Sequence, residues 1–360
     1  MASELDMDKA SVSNAEENRT RLCDEFAAIT GTDSAVAQCY LAENEWEMER
    51  ALNSFFEADM ERVFEVEDSP ARETSPKTKS QKTDENPQGD CIDLTEDSPD
   101  PKQKPSKEDK NLSLITWNVD GLDTDNLPDR ARGLCSYLAM YTPDVVFLQE
   151  LIPPYVQYLK KRAVSYLIIE GAEDGYFIGM MLKRSRVKLV ESEIVTYPTT
   201  RMMRNLLVAQ VDFKGQKLCL MTSHLESCKD HAEERMKQLR VVMQRMGEAP
   251  DNVNVLFAGD TNLRDAEVAK VGLPSTVCDV WEQLGKREHC RYTWDTKANS
   301  NKNVHFVSRC RFDRIYFRPA TRDGALRLVP DHMALVGLEK LDCGRYTSDH
   351  WGIYCCFSPG

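Results

Sequence analysis

Residues 112–121 read LSLITWNVDG, and the way this stretch ends decides the fold. Leu112–Trp117 is a short, apolar, β-capable run, and it stops on Asn118 and Asp120 just before Gly121. One polar ending carries little information, because polar residues close most strands. Here the ending recurs. The run 145–148, VVFL, stops on Gln149 and Glu150, and 218–223, LCLMTS, on His224, Leu225 and Glu226. The run 254–258, NVLFA, stops on Gly259, Asp260, Thr261 and Asn262, and Ser348, Asp349 and His350 lead into a last strand at Trp351–Cys356. Five endings built from Asn, Asp, Glu and His place polar groups at one rim of a sheet scaffold. Strands are therefore expected at Leu112–Trp117, Val145–Leu148, Lys217–Met221, Val253–Phe257, Phe312–Phe317 and Trp351–Cys356. Between them lie helical patterns at Asp129–Tyr141 and Asp230–Met246. The second aligns Met236, Leu239, Met243 and Met246 on one face, which suits core packing rather than a cofactor site. Strands alternating with helices make this part of the chain α/β.

The residue types at the rim suit hydrolysis of a phosphodiester. That reaction needs a divalent cation on the phosphate, a positioned water, and donors for charge developing on oxygen. Glu150 is the leading ligand with Asp120 beside it, since Mg²⁺ prefers oxygen ligands and takes few carboxylates from a protein. Asp260 is suited to orient and deprotonate water. His350, steadied by Asp349, can donate to a non-bridging oxygen, as can His224. Asn118 and Asn262 can position phosphate or water without adding charge. Of six histidines, only His224 and His350 stand at strand exits; a structural role is the default for the others.

Composition divides the chain. The net charge of −13 argues at first against a nucleic-acid enzyme, but residues 1–110 carry −15, leaving +2 for 111–360. Phosphate binding needs a local positive surface, not a basic chain. No run of 18 apolar residues occurs, so no membrane span and no membrane partner is expected. The N-terminus lacks the basic start and apolar stretch of a signal peptide. The 12 cysteines show no CxxC pairs, which favours reduced intracellular thiols over disulfides or zinc.

Residues 1–19 are polar and expected to be disordered. Residues 20–57 form a compact helical unit, with Leu22, Phe26 and Ile29 at helical spacing and Trp46, Met48, Ala51, Leu52 and Phe55 available for burial. Asp33 can cap one helix, and Asn44 with Glu47 resembles a capping box for another. Three short helices with this Trp-x4-Ala-x3-Phe ending resemble a ubiquitin-associated domain; a small bundle without a ligand has the same pattern. Residues 58–110 form an acidic linker, too poor in apolar surface to offset the entropy of ordering. Within it, Cys91–Asp97 (CIDLTED) resembles a SUMO-interacting motif, a β-capable segment that could add to a partner's sheet edge.

In order and spacing, TWN, LQE, SHLE, GDTN and SDH resemble the motif series of the endonuclease/exonuclease/phosphatase superfamily across essentially all of 112–357. The resemblance implies a four-layered α/β sandwich, two packed sheets with helices outside. The segments LITWNVDGLD, FLQELIPPY, MTSHLES, FAGDTNLRD, YTWDT, RFDRIYF and LDCGRYTSDHWG narrow it to the 5′-tyrosyl-DNA phosphodiesterase branch. That branch implies hydrolysis of the bond between a topoisomerase II-derived tyrosine and a DNA 5′ end. The metal, Mg²⁺ with Mn²⁺ as substitute, would be held through Glu150 and Asp120. Asp260 would be the acid/base residue, with Asn118, His224, Asn262 and His350 completing the phosphate site and Asp349 and Asp313 supporting it. The 5′ end, single-stranded or frayed, would be met by Asn118, Val119, Asp120, Gly121, Leu122, Tyr176, Arg204, His224, Leu225, Glu226, Ser227, Asn262, Leu263, Arg264 and Trp294. Ubiquitin and SUMO are the implied protein partners, and the nucleus, with the cytoplasm second, the implied compartment. The compact Lys/Arg cluster that can serve nuclear import in this branch does not occur here. Lipid and inositol phosphodiesterases share the general motifs but not this combination. A ubiquitin- or SUMO-binding adaptor would leave the catalytic set unexplained.

Overall fold

The computed structural model describes residues 18–29, 37–38, 41–42, 46–48, 51–52 and 110–360, apart from 303, 305 and 323. The expected capping residues Asp33 and Asn44, the linker 58–109 and the segment Cys91–Asp97 lie outside the described residues. Residues 18–29 are helical, so Asn18 and Arg19 of the stretch expected to be disordered lie in a helix. Its first turn is tied by Arg21, which donates to the Asn18 side chain at 2.8 Å and to Glu25 one turn on at 2.7 Å. Cys23 and Phe26 are buried and Leu22 and Ile29 half-buried, the stripe expected from their spacing.

The strands of the large domain, in chain order, are β1 (Leu112–Asn118), β2 (Val145–Leu151), β3 (Tyr166–Glu170), β4 (Phe177–Lys183), β5 (Val187–Thr196), β6 (Asn205–Phe213) and β7 (Gln216–His224). They continue as β8 (Asn254–Asp260), β9 (Cys278–Asp279), β10 (Trp294–Asp295), β11 (Arg309–Cys310), β12 (Asp313–Arg318), β13 (Leu328–Val336) and β14 (Gly352–Pro359). Two six-stranded sheets result, ordered β13-β14-β1-β2-β4-β3 and β5-β6-β7-β8-β12-β9. Each has one parallel pair at its centre, β1 with β2 and β7 with β8, so the polar endings of those strands leave at the same edge of their sheets.

The sheets pack face to face. Leu112, Leu114, Val145 and Phe147 of the first share a core with Leu218, Leu220, Leu256, Ala258, Ile315 and Phe317 of the second. Residues of the opposite parity face outward. Ile115, Trp117, Val146 and Leu148 are covered by helices α1 (Leu127–Tyr141) and α2 (Pro153–Arg162), while Val255 and Phe257 are covered by α3 (Ala232–Glu248). The layers are therefore helix, sheet, sheet, helix, as the resemblance implied. Met236, Leu239, Met243 and Met246 are all buried, the last three in the core beneath α3. Among the described residues no helix is long and apolar enough to cross a membrane.

Period-two alternation then positions the chemistry. Asn118 continues the parity of Leu112 and Leu114, His224 that of Leu218 and Leu220, Asp260 that of Leu256 and Ala258, and Asp313 that of Ile315 and Phe317. All four face the space between the sheets, where the apolar core gives way to a polar rim. Strand β12 runs antiparallel to β8 and starts with Asp313 opposite Asp260.

Candidate active site

Glu150 does not follow from alternation. The pairing of β2 with β4 shifts register between Leu148 and Leu151, and Glu150 takes a left-handed backbone with φ 58°. A bulge of this kind re-aims a side chain, here toward Asn118 on the neighbouring strand. Asp120 (φ 50°) and Asn262 (φ 52°) share the left-handed region, each costing about 1–3 kcal/mol that the surrounding packing must offset. Gly121 and Gly259 are fixed by close approach, because a Cβ on either would lie 2.1 Å from a carbonyl oxygen, that of Glu150 or of Ser223.

Asn118 joins the two principal carboxylates. Its Nδ2 donates to Glu150 Oε1 at 2.8 Å and to Asp260 Oδ2 at 3.0 Å. Its Oδ1 accepts from the Asp120 backbone N–H, and its own carbonyl accepts from Ser348 Oγ. Asp260 is almost wholly buried, and Oδ1 accepts from the Asn262 backbone N–H at 3.0 Å. Burial pushes the Asp260 carboxyl up to about 7, with Asp313 and Glu150 adding and His350 and the Asn118 hydrogen bond opposing. A base poised near neutrality is the useful range for taking a proton from water.

Two histidines flank Asp260, and their surroundings push their pKa values in opposite directions. His224 Nε2 lies 3.4 Å from Asp260 Oδ2, and His350 Nε2 lies 3.7 Å from the same oxygen. Arg204 Nη1 sits 2.9 Å from His224 Nδ1. A guanidinium can only donate, so Nδ1 keeps its lone pair and the proton is on Nε2, facing Asp260. Burial, with Arg204 and His350 adding, holds the His224 imidazole well below its usual range, hence neutral. For His350, burial also works against charge, but Asp313, Asp260 and Asp349 overcome it and hold the ring well above its usual range. The carboxylate that orients His350 is Asp313, whose Oδ2 accepts from Nδ1 at 2.8 Å. This corrects the expectation that Asp349 steadies it. Asp349 instead accepts from Trp294 Nε1 at 3.2 Å and acts on the ring only through its charge.

Trp294 packs beside Phe306 and Phe312 and pairs through its backbone with His350, so it belongs to the rim rather than the core. Tyr176 is buried beneath the Arg204 guanidinium, 4.9 Å from ring centre to charge. Arg204 also donates to Ser227 Oγ at 3.0 Å. Leu122, Tyr176, Arg204 and Ser227 line a cavity of about 1000 Å³ that opens onto Glu150 and Asp120. Arg264 is exposed, over the Phe312 ring. Four of the expected 5′-end residues turn inward. Val119, Leu225 and Leu263 are core side chains, and Glu226 is buried as the anchor for Thr200, the Arg201 backbone and Gln238. Of the residues beside them, Asp120 and Ser227 line the cavity. The Asn262 side chain donates to the Leu225 carbonyl and Ser227 Oγ, so it fixes the loop that carries its neighbours.

The donor set fits a divalent cation. Glu150, His224 and Asp260 present ligand atoms within 4.8 Å of one another. The Glu150 side chain is 18% exposed against 2% for Asp260, so it is the carboxylate a hydrated cation can reach from the cavity. Asp120 Oδ2 is buried without a hydrogen-bond partner, as a carboxylate oxygen awaiting a positive group would be. Burial, with Asp349 and Glu150 adding and Lys302 and Arg130 opposing, pushes the Asp120 carboxyl up to about 7. His224 offers a proton rather than a lone pair at Nε2, so the set reads as oxygen ligands, not a zinc site. Sequence reasoning missed two cations around Asp120. Arg130, fully buried, donates to the carbonyls of Val119, Asp120 and Asp123. Lys302 Nζ reaches Asp120 Oδ1 at 2.9 Å. A lone lysine in a polar loop carries no signal that could have found it.

Arg21, Asp24 and Glu25 of the helix at 18–29 also line the cavity. None of these is needed by the rim, whose groups all come from 118–350. A chain starting at residue 108 is therefore expected to fold and turn over as fast as the full chain. Its KM should be no higher, since two acidic side chains leave the path of a polyanion. A steady-state comparison of the two checks this, and a lower kcat with folding intact would refute it.

Comparison with known proteins agrees with this geometry. Residues 115–350 match the endonuclease/exonuclease/phosphatase family, and residues 20–62 match the UBA-like domain. Tyrosyl-DNA phosphodiesterase 2 of Danio rerio is 66% identical over 95% of this chain and 98% of its own length, and that of Homo sapiens 55% identical over 94% and 92%. A crystal structure of the D. rerio protein complexed with single-strand DNA product is 75% identical over 69% of this chain and 99% of that one, with a TM-score of 0.67. The structure of the Caenorhabditis elegans protein covers 94% of this chain and 93% of its own, at 25% identity and a TM-score of 0.62. With its rim of catalytic groups between two sheets and relatives this similar over nearly the whole length, the chain belongs to the tyrosyl-DNA phosphodiesterase 2 family of endonuclease/exonuclease/phosphatase proteins.

Proposed function

We propose that this chain is a DNA-repair hydrolase that removes a topoisomerase II-derived tyrosyl peptide from a DNA 5′ end, leaving a 5′-phosphate. The observation that carries the reading is the convergence of Asn118, Glu150, His224, Asp260 and His350 on one point, in a family named for this activity. The leaving group is a phenol with an ordinary pKa of about 10, so it departs without strong protonation and the rim needs no dedicated acid beside it.

Glu150, with Asp120 beside it, would hold Mg²⁺ or Mn²⁺. Such an ion, when bound, neutralises phosphate charge and favours attack on phosphorus. The chain's own groups do the rest. Asp260 orients a water and takes its proton as the water oxygen bonds to phosphorus. The bond from phosphorus to the tyrosyl oxygen breaks, and its electron pair leaves on the phenolate. His224 Nε2–H and the His350 imidazolium are fixed donors for the charge that gathers on the non-bridging oxygens, and Asn118 holds the base in place. Trp294, half-buried at the rim, is the aromatic surface for an unpaired 5′ base, while Tyr176 backs Arg204 in the cavity wall. The D. rerio relative's complex with single-strand DNA supports an unpaired end as substrate. The UBA-like domain is proposed to bind ubiquitin and Cys91–Asp97 to bind SUMO; because the substrate lies on chromosomal DNA, the nucleus is the proposed compartment.

The test is cleavage of 5′- and 3′-tyrosyl oligonucleotides by the full chain with Mg²⁺ present. Release of tyrosine from the 5′ substrate alone is expected, and equal release from both ends would reject the proposed polarity.

A further inference from the structure

Lys302 stands on the loop between β10 and β11, across 182 residues of chain from the carboxylate it meets. Its Nζ lies 2.9 Å from Asp120 Oδ1 and 3.4 Å from Asp123 Oδ2. The side chain is not sealed: it is 37% exposed and lines the same cavity as Glu150, Tyr176, Arg204 and Asp349. Nor is it loosely placed. The neighbouring Asn301 donates to the Tyr346 carbonyl and accepts from the Tyr346 N–H, while Arg345 ties the Asn301 carbonyl to both oxygens of Asp123. A cation is thus held beside Asp120 while still open to whatever enters the cavity. Around it the lining carries Asp120, Asp123, Glu150 and Asp349, with Arg204 and Arg21 as the other fixed cations, so acids outnumber bases in a space that has to admit a phosphate chain.

We propose that Lys302 is a positioning and specificity residue that sets the balance between cation and DNA at this site, its ammonium holding and partly neutralising Asp120 so that the metal binds less tightly and the nucleic-acid strand more tightly. The inference rests on the functional reading above, since it takes both a divalent cation and DNA as ligands. One fixed positive charge acts on the two ligands in opposite senses, because one is a cation and the other a polyanion. A purely structural lysine would change both in the same sense, by loosening Asp120.

The experiment is Lys302→Met, which keeps length and apolar stem, beside Lys302→Arg, which keeps the charge. Mn²⁺ binding is measured by calorimetry without DNA, and binding of a 5′-phosphorylated single-stranded oligonucleotide by fluorescence anisotropy in EDTA. For Lys302→Met, Mn²⁺ is expected to bind about three- to ten-fold more tightly and the oligonucleotide about three- to ten-fold more weakly, the scale of one unit charge in a partly solvated site. The slope of log K against log salt should fall by about 0.7, one phosphate contact on a single strand. Lys302→Arg should stay near the parent on both. If both ligands weaken together in Lys302→Met, or neither changes, the proposal is overturned while the parent's binding of both still supports the functional reading. If the parent binds neither Mn²⁺ nor the oligonucleotide, the functional reading falls and this inference with it.

Discussion

Asp260→Asn is expected to cut turnover of a 5′-tyrosyl oligonucleotide by a factor of at least ~10², the usual contribution of a general base, and to leave DNA binding intact. The substitution nearly preserves shape. It removes the proton acceptor and one negative charge from a buried position shared by Asn118, His224 and His350. His350 keeps its counter-ion, because Asp313 and not Asp260 makes the short contact to its ring. One local conflict is built in. Asp260 accepts at both oxygens, from the Asn118 amide and from the Asn262 backbone, and an amide can satisfy only one of these with oxygen. A stability loss of about 1–3 kcal/mol is the expected scale for such a mismatch, so the assay belongs at a temperature where melting curves show the variant folded. Binding of DNA should hold or tighten, since a negative charge facing phosphate has gone. Single-turnover kinetics separate the two effects. Near-normal turnover, or full rescue by raised Mg²⁺, would make Asp260 a ligand and leave the base unassigned.

Much of this site is legible in the sequence because strands alternate. Once Leu256 and Ala258 are placed between the sheets, Asp260 must follow them, and the same step places Asn118 after Leu114 and His224 after Leu220. The strand-end motifs by themselves imply a common rim on a sheet scaffold; the four-layer arrangement was implied by their resemblance to the superfamily's motif series, not by alternation. What stayed hidden depends on departures from regularity or on long-range packing. The strict alternation that places Val145 and Phe147 between the sheets would give Gln149, not Glu150, to the cleft. The bulge and left-handed backbone that correct this have no marker in FLQEL. The partner of His350 was sought next to it in sequence and found 37 residues away on β12, because a ring at the end of one strand is reached by the facing residue of another sheet. Strands β3, β4, β5, β6 and β13 were not among those expected, and of these β5 had the least to show. It is an edge strand whose Glu191, Ser192 and Glu193 are exposed, so it has no apolar run to read. Strand ends were placed early at β1, β2, β7 and β8, since the polar residues that carry the chemistry were taken as outside the ladder when they are its last rungs.

Removing the metal should have the largest effect of all: EDTA is expected to abolish turnover and Mg²⁺ to restore it, and Glu150→Gln should reproduce part of that loss in a form that Mg²⁺ can reverse. The difference from Asp260 lies in exposure and in partners. Glu150 is the carboxylate open to the cavity, with Asn118 held on Oε1, whereas Asp260 is enclosed between two histidines. A Gln at 150 keeps a carbonyl oxygen for a hard cation but gives up the charge that attracts it. Cation affinity should therefore fall by about ten-fold or more, the loss of one unit-charge contact at short range, with kcat recovering as Mg²⁺ is raised. At Asp260→Asn the same titration should leave kcat low at saturation. Plotting rate against Mg²⁺ for both variants gives a shifted curve in one case and a depressed plateau in the other. Full activity in a chelated sample would end the metal assignment. A depressed plateau for Glu150→Gln would instead mean that Glu150 takes part in the chemical step and does more than hold the ion.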